Sequence, residues 1–469
     1  MLPRWPTRWT ISWPDLQPAG PDTFNPHYLD RRMLRRERAS GRHMAGIVIG
    51  TPPWAARDPQ HGPRSVPRNL DLSVFLPDGR INRDNYWAAF MYDMAKEYAG
   101  EIEAWLIWNE VEIPLDGPNG RYHTWAGTLE EYYLLLKVAY QAIKQAAPQA
   151  LVVTAPYSFH TDKAWAQRFL EVVARDPEGP ANNYFFDVFA INLFRNAHDP
   201  WDRMYGAPDA MDPLERPGLR DLFAAAGFSK PVWLAELNAM PYDDPEVPGW
   251  DPARRDDHFR ITQDEQASFV IQAYAVALAA GYDKVFWQAM QDDPPPVPDE
   301  LWGLVRYHPD PANTAATRLR PAYHAYAVMA EALGGAERIE LVALTRPDPQ
   351  NLRARAPRYE WLVQLVAAQR GRRRASIVWN SSPDPLIIGV PRLGSRAYLL
   401  DKYGGHHPAQ LSEDGRRWMI ALEPATRRFV HPTLGSDPEG YFYVGGSPLI
   451  LIEEEVPPEA PVLPPELLS

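Results

Sequence analysis

Two glutamates, Glu110 and Glu236, end short apolar runs in this chain of 469 residues. The first run, 102–110, reads IEAWLIWNE and finishes with Asn109 and Glu110, and the second, 231–236, reads PVWLAE. Runs this short and rich in Ile, Leu and Trp are typical of buried strands rather than helices. A carboxylate at the carboxyl tip of a buried strand does not serve packing. We therefore predict that the two glutamates face one site.

A pair of carboxylates across one pocket is suited to the cleavage of a glycosidic bond. One carboxyl group protonates the leaving oxygen, and the other attacks the anomeric carbon to form a glycosyl-enzyme. The acid must stay protonated near neutral pH, whereas the nucleophile must stay charged. Glu103 and Glu112 lie nearby in the sequence, but neither accompanies the strand-end Asn. We interpret these two as surface or ion-paired groups.

The segments around the two glutamates alternate between strand-like and helix-like patterns. The predicted strands are 8–13, 43–50, 102–110, 150–155, 185–193, 231–236 and 283–288. The predicted helices are 24–40, 82–98, 129–147, 163–175, 213–225, 262–280 and 321–333. Asn82 is predicted to cap the second of these helices, and Thr262 or Asp264 the sixth.

This alternation predicts an α/β fold, because parallel strands need crossover connections that helices supply. A length of about 335 residues favours the closed (β/α)8 TIM barrel, whose active sites lie at the carboxyl ends of the strands. If the strand ending in Glu110 is the fourth of a barrel, the strand ending in Glu236 is the seventh. The first strand and helix would then lie before Met1, so the barrel apparently lacks its first strand.

The pattern changes after residue 335, where short strands alternate with Gly, Pro and Asp turns. These strands are 339–344, 359–367, 375–380, 397–401, 418–422, 441–444 and 448–453. They predict a C-terminal β-sandwich, and the proline-rich end is predicted to be disordered. The predicted division is a barrel over 1–335, a sandwich over 336–456 and a tail over 457–469.

Composition narrows the possible partners and cofactors. The formal net charge is −12, and no long basic block favours a nucleic-acid partner. The chain has no cysteine, and its 12 histidines show no ligand spacing, so we predict neither a metal nor another cofactor.

The sequence shows no membrane span, because no run approaches the roughly 18 apolar residues that a span needs. No signal peptide is visible, which leaves a cytoplasmic location, or secretion if the N-terminus is incomplete. The oligomeric state stays open.

The two strand ends resemble the paired signatures of glycoside hydrolase clan A, above all of its families 39 and 5. The residues that carry the resemblance are Trp108, Asn109 and Glu110 at one strand end and 233–236 (WLAE) at the other. The sequence TPPW at 51–54, Trp287 at the last strand and the trailing sandwich are also similar. The resemblance covers residues 8–335. It implies a retaining β-glycosidase on a (β/α)8 barrel.

The resemblance also implies a role for each matching residue. Glu110 would be the general acid/base and Glu236 the nucleophile. Asn109 would hydrogen-bond the 2-hydroxyl of the reacting sugar, and Trp287 would form the floor under that ring. Trp54 would help to wall the pocket.

The sixth predicted strand departs from the family pattern. Family members usually carry an aromatic hydroxyl here that hydrogen-bonds the nucleophile, whereas this chain has Phe194. Asn192 stands where His often occurs, and we count it among the substrate-binding residues. Tyr157 or Tyr205 would be an alternative source of the hydroxyl.

The sequence therefore predicts a retaining glycoside hydrolase that acts on oligosaccharides or glycosides. The alternative is a non-catalytic carbohydrate-binding or scaffold protein derived from such a barrel, which the absent first strand and the aromatic substitution favour. Fold does not choose among xylose, glucose, galactose and mannose, between endo and exo cleavage, or between hydrolysis and transglycosylation. The acidic loop after the last strand is interpreted as solvated, or as lining outer subsites. Its residues are Asp292, Asp293, Asp299 and Glu300.

Overall fold

Strands and helices alternate through the first two thirds of the chain, and antiparallel strands follow. The computed structural model describes residues 6–25, 31–116, 120, 123–158, 161–162, 164–194, 218–246, 260–292, 301–310, 315, 318–347, 359–380, 384–430, 441–444 and 446–460. The strands of the first part are β1 (Pro6–Ser12), β2 (His43–Ile49), β3 (Ala104–Ile107), β4 (Leu151–Val153), β5 (Tyr157–Ser158), β6 (Phe189–Asn192), β7 (Val232–Leu237), β8 (Met240–Pro241), β9 (Arg260–Ile261) and β10 (Lys284–Trp287). The helices are α1 (Trp13–Leu16), α2 (Arg31–Ala39), α3 (Tyr86–Glu97), α4 (Leu129–Ala146), α5 (Trp165–Arg175), α6 (Leu219–Ala225), α7 (Gln263–Ala279) and α8 (Pro321–Leu333).

Two four-stranded parallel sheets form the first part, in the orders β1-β2-β3-β4 and β10-β7-β6-β5. A parallel bridge between Val153 and Val188 joins the two sheets where β4 passes into β5. The predicted parallel sheet is therefore confirmed, and the strands follow one another in chain order as the pattern indicates. At the free edges, β10 contacts β1. Among the described residues no hydrogen-bonded ladder joins that pair.

The inner face of these strands is apolar, and the helices cover the outer face, so both faces are buried. This explains why the strands appear in the sequence as continuous apolar runs rather than as alternating ones. The buried residues of the inner face are Ala45, Ile47, Ala104, Leu106, Val153, Val188, Ala190, Trp233, Ala235 and Phe286.

Two helix starts test the predicted caps. The prediction for Asn82 is wrong, because α3 begins at Tyr86 and its cap is Asn85, whose side chain accepts from the amide of Ala88. Asn82 instead donates to the carbonyl of Ser73 at 2.8 Å. For α7 the prediction of Thr262 is confirmed, since its hydroxyl accepts from an amide of the first turn in a capping box.

The C-terminal part consists of antiparallel strands. They are β11 (Arg338–Pro347), β12 (Tyr359–Arg370), β13 (Arg373–Asn380), β14 (Leu386–Pro391), β15 (Arg396–Asp401), β16 (His406–Pro408), β17 (Gln410–Leu411), β18 (Arg417–Leu422), β19 (Arg427–Val430), β20 (Tyr441–Val444) and β21 (Leu449–Glu454). A six-stranded sheet, β11-β12-β13-β21-β15-β16, faces a three-stranded one, β14-β18-β17. Their inner faces share one apolar cluster, which includes Leu365, Ile388 and Trp418.

Helix α7 joins the two parts and is buried along most of its length. Lys402 pairs with Asp264 of this helix at 2.7 Å, and Gln272 donates to the carbonyl of Gly446 at 2.9 Å.

Residues 457–460 lie against the six-stranded sheet, where the side chain of Gln369 donates to the carbonyl of Pro457 at 3.0 Å. The rest of the predicted tail is outside the described residues, and the division at 335 stays a prediction. None of the helices in the described ranges is both long and apolar enough to cross a bilayer.

Candidate active site

Glu110 lies on a turn three residues beyond the end of β3, not at the tip of a longer strand as predicted. Trp108 and Glu110 both have positive φ angles, 74° and 44°, a conformation that is uncommon for residues other than glycine. The turn is held because the indole of Trp108 donates to the carbonyl of Thr124 at 3.0 Å. The amide of Glu110 donates to the carbonyl of Pro156, between β4 and β5, at 2.8 Å. These bonds fix the backbone that carries the carboxylate.

Glu236 lies inside β7, one residue before the strand ends at Leu237. Only 8% of this residue is exposed. Its carbonyl accepts from the amide of Leu193 at 2.9 Å, which ties it to the end of β6. The carboxylate therefore projects from a rigid strand, which suits a group that must be held in one position.

Asn192, the last residue of β6, contacts the surroundings of both glutamates. Its backbone is the register partner of Glu236 across the β6–β7 pair, and such neighbours in a sheet are about 5 Å apart. Its side-chain amide donates to Oε1 of Glu110 at 2.9 Å. Asn192 thus links the strand that carries Glu236 to the side chain of Glu110, at the carboxyl end of the parallel sheet. That the two carboxylates face one site stays a prediction.

Asn109, which we expect to contact substrate, presents an unusual acceptor. Its Oδ1 atom is buried and accepts no hydrogen bond, whereas its backbone carbonyl accepts from the hydroxyl of Thr124. A buried polar atom without a partner is destabilising unless a ligand or water supplies one. Oδ1 of Asn192 is in the same situation. Two unmatched acceptors therefore lie beside Glu110.

Trp287 ends β10, and its backbone pairs with Leu237, the neighbour of Glu236. Its indole ring is half-buried against Phe269, with ring centroids 6.0 Å apart. Its Nε1 atom is buried without a hydrogen-bond partner. The structure therefore brings Trp287 to the strand end beside the second glutamate.

Asn238, two residues after Glu236, is a buried residue beside the candidate site that the sequence analysis does not single out. It is fully buried, and its amide donates to the carbonyls of Gln288 and Trp302. These bonds fix the chain just after Trp287 to the end of β7. No periodicity or motif distinguishes this Asn in the sequence.

Trp54 lies in the short turn after β2, and the described contacts do not link it to either glutamate. Its indole donates to the carbonyl of Gln17 at 2.6 Å. Its ring packs edge-on against Trp13 and Tyr86, with centroid distances of 5.8 and 5.2 Å. The role of Trp54 in walling the pocket stays a prediction.

The aromatic residue that departs from the family pattern at the sixth predicted strand, Phe194, packs against another aromatic ring. Phe194 follows β6 and lies against Trp302, with ring centroids 4.9 Å apart. Tyr157 is fully buried and stacks on Trp165 at 5.1 Å. Tyr205 lies outside the described residues.

The interpretation of Glu112 as a surface or ion-paired group is wrong. Its Oε1 accepts from the amide of Ser158 at 2.6 Å, and its Oε2 is buried without a partner. Burial, together with the negative charge of Glu110, raises the pKa of the Glu112 carboxyl well above its usual range. For Glu103 the interpretation is confirmed, since it pairs with Arg38 at 3.7 Å and with His43.

Asp292 is neither solvated nor free to line a subsite. It forms a bidentate pair with Arg320, at 2.8 Å for each bond, and Arg320 also contacts Asp244 at 2.8 Å. Both partners of the bidentate pair are buried. The network fixes the loops that follow β7 and β10. Asp293, Asp299 and Glu300 lie outside the described residues.

No group of three or more acidic or histidine side chains in the described ranges is arranged to hold a metal ion.

The fold is similar to that of glycoside hydrolases of clan A, which combine a TIM barrel with a C-terminal domain. A family 39 glycoside hydrolase from Bacteroides cellulosilyticus WH2 superposes with a TM-score of 0.60 at 15% identity, over 96% of this chain and 75% of that chain. A family 30 subfamily 8 xylanase from Clostridium acetobutylicum gives 0.55 at 11% identity, over 96% and 89%. A glucosidase from Croceicoccus marinus gives 0.53 at 12% identity, over 96% and 90%.

The resemblance that the two strand ends indicate is thus confirmed at the level of the fold. No protein-family model and no curated protein matches the sequence.

Proposed function

We propose that this protein is a retaining glycoside hydrolase that cleaves β-glycosidic bonds by double displacement. The observation that carries the proposal is the position of Asn192, which pairs with Glu236 along the backbone and donates to Glu110 through its side chain. The reaction requires two carboxylates that face one substrate at the carboxyl ends of parallel strands, and these two contacts support such an arrangement.

Glu236 is proposed as the nucleophile and Glu110 as the general acid/base. In the first step Glu236 attacks the anomeric carbon while Glu110 protonates the leaving oxygen, and a glycosyl-enzyme forms. In the second step Glu110 accepts a proton from water, which attacks the same carbon and releases Glu236. Retention requires the two carboxyl groups to be about 5–5.5 Å apart. A single Asn neighbouring both residues supports a separation of this order.

The unmatched polar atoms support sugar contacts in the same place. Buried Oδ1 of Asn109 accepts no bond in the free protein, and a sugar hydroxyl would supply the missing donor. Trp287 offers an aromatic face beside Glu236, against which the C–H face of a sugar ring packs. Asn192 then has a double role, because it positions Glu110 and offers its own free Oδ1 to the substrate.

The proposal includes closure of the two parallel sheets into a barrel. The bridge at Val153 joins them on one side, and the contact of β10 with β1 supports closure on the other. The eight strands of the two sheets occupy seven positions in the described ranges, because β4 and β5 share one. This count agrees with a barrel in which β3 holds the fourth position and β7 the seventh.

The stereochemistry of the product tests the proposal. The protein is incubated with aryl β-xylosides, glucosides, galactosides and mannosides, and the anomeric protons of the first-formed sugar are followed by NMR. Release of the β-anomer before mutarotation is expected for a retaining enzyme. Initial release of the α-anomer would exclude double displacement. Absence of hydrolysis by the folded protein across the panel would favour the binding-protein alternative.

A further inference from the structure

A cavity of about 630 Å³ lies at the amino ends of the parallel strands, away from the carboxyl ends that carry Glu110 and Glu236. The first residues of β2, β3, β4 and β10 border it, together with the loops that precede β3 and β4. We call it the basal cavity. Its volume falls within the roughly 300–1,000 Å³ of small-molecule sites. The apolar inner layer of the sheets, which includes Ile47, Leu106 and Ala235, lies between it and the strand ends of the candidate active site.

The wall of the basal cavity is chiefly apolar, and the space exists because small side chains stand opposite large aromatic ones. Ala45 and Ala104 stand at the starts of β2 and β3, where larger residues would fill the space. Trp233 and Phe286 face them from the other sheet, with their rings tilted against each other at a centroid distance of 5.6 Å. The cavity therefore offers an aromatic wall and an aliphatic wall to an apolar guest.

One cation in this wall lacks an acidic partner. Lys284, the first residue of β10, has its ammonium 5.2 Å above the ring of Trp233. This ammonium makes no hydrogen bond or ion pair with any residue in the described ranges. Glu103 also lines the cavity, but its carboxylate is engaged by Arg38 at 3.7 Å and by His43. The wall therefore carries one positive charge that no neighbour neutralises at close range.

We propose that the basal cavity binds a small amphipathic monocarboxylate, such as an acyl or aromatic acid. Its carboxylate would accept a charge-assisted hydrogen bond from Lys284, and its apolar body would lie between the aromatic and aliphatic walls. The proposal is independent of the proposed glycosidase activity, because it concerns the opposite end of the strands.

The charge of the wall selects this class of ligand over others. Burial lowers the pKa of Lys284, while Glu103 and Asp283 raise it at longer range. An anion in direct contact would stabilise the charged form further. A phosphate would bring a second negative charge without a second free cation. A sugar would place hydroxyl groups against an apolar wall that offers them few partners, which is costly.

Isothermal titration calorimetry with octanoate tests the proposal, with octanamide as the uncharged counterpart. Lys284→Met removes the ammonium but keeps an unbranched side chain. Lys96→Met is the matched control, because Lys96 also lies over an aromatic ring, that of Tyr92 at 5.7 Å, but is exposed on α3. Ala99→Trp places a bulky ring at the exposed rim of the cavity without touching the charge.

Saturable binding of one octanoate is expected. Lys284→Met should weaken it about tenfold or more, since hydrogen bonds to charged groups are worth that much, whereas Lys96→Met should leave it unchanged. Octanamide should bind more weakly and respond little to the loss of Lys284. Ala99→Trp should weaken both ligands, and it tests the site even if the Lys284 variant fails to fold. Absence of saturable octanoate binding at millimolar concentration, or equal binding by the Lys284 variant, would overturn the proposal.

Discussion

Replacing Asn192 by alanine tests whether this residue positions the acid/base. The substitution removes the donor that lies 2.9 Å from Oε1 of Glu110 and leaves the backbone pairing with Glu236 intact. A hydrogen bond to a charged group contributes about 1.5–3 kcal/mol. Because each 1.36 kcal/mol is tenfold in rate, we expect kcat/KM to fall by about 10- to 100-fold.

The loss should depend on the leaving group of the substrate. Alkyl β-glycosides need protonation of the leaving oxygen, so a displaced Glu110 should slow them by the full factor. Dinitrophenyl β-glycosides need little protonation and should lose less. The assay is kcat/KM across a series of leaving groups for the wild-type protein and Asn192→Ala, with folding checked by circular dichroism.

Asn82→Ala is the matched control, because it deletes a similar side-chain amide that bonds the carbonyl of Ser73 at 2.8 Å, away from the site. This variant should retain full activity. Unchanged kcat/KM for alkyl glycosides in Asn192→Ala would refute the positioning role. An equal loss for alkyl and dinitrophenyl substrates would also refute it, because the defect would then not lie in proton donation.

Three further predictions follow from single residues. Glu110→Gln should slow poor leaving groups far more than activated ones, and similar losses in a leaving-group series would contradict its acid role. Glu112 has a raised pKa in the fold, so the wild-type protein should lose stability as pH rises from about 4.3 towards that pKa. Glu112→Gln should therefore gain stability relative to wild type between pH 4 and 8 in urea denaturation, and a constant difference would contradict the buried carboxyl. Arg320→Met removes the arginine partner of buried Asp292, whereas Asp244 keeps its pair with Arg306 at 2.9 Å. The loss of this one buried pair should cost about 3–5 kcal/mol of unfolding free energy, and a loss below 1 kcal/mol would contradict the network.

The sequence predicts the strands and most helices well, because their burial imposes a clear pattern. Strands of parallel sheets are covered on both faces, and the run around Glu236 is apolar for that reason. Helix α8 (Pro321–Leu333) has the predicted bounds, since Pro suits the first turn of a helix and Gly334 follows its last turn. The predicted start of α3 is too early, because Asn82 and Asn85 are both suitable caps and only tertiary contacts distinguish them.

The candidate site could be predicted only in part. Glu110 and Glu236 can be recognised in the sequence as candidate site residues, because a charged residue at the end of an apolar run is unusual. The role of Asn192 towards Glu110 depends on a contact between residues 82 positions apart, and no local pattern records it. Glu112 shows the same limit, because its burial arises from the fold of the segment around Ser158. Asp292 appears in the sequence as part of an acidic loop, and only the structure pairs it with Arg320.

The most direct test of the central claim is covalent trapping of the nucleophile. The protein is incubated with activated 2-deoxy-2-fluoro β-glycosides, followed by intact mass measurement and peptide mapping. The fluorine slows both steps, and the activated leaving group keeps the first fast enough for the glycosyl-enzyme to accumulate. We predict one adduct, on Glu236, from at least one sugar of the panel. An adduct on another residue, or no adduct in a protein that hydrolyses the matching β-glycoside, would contradict the assignment.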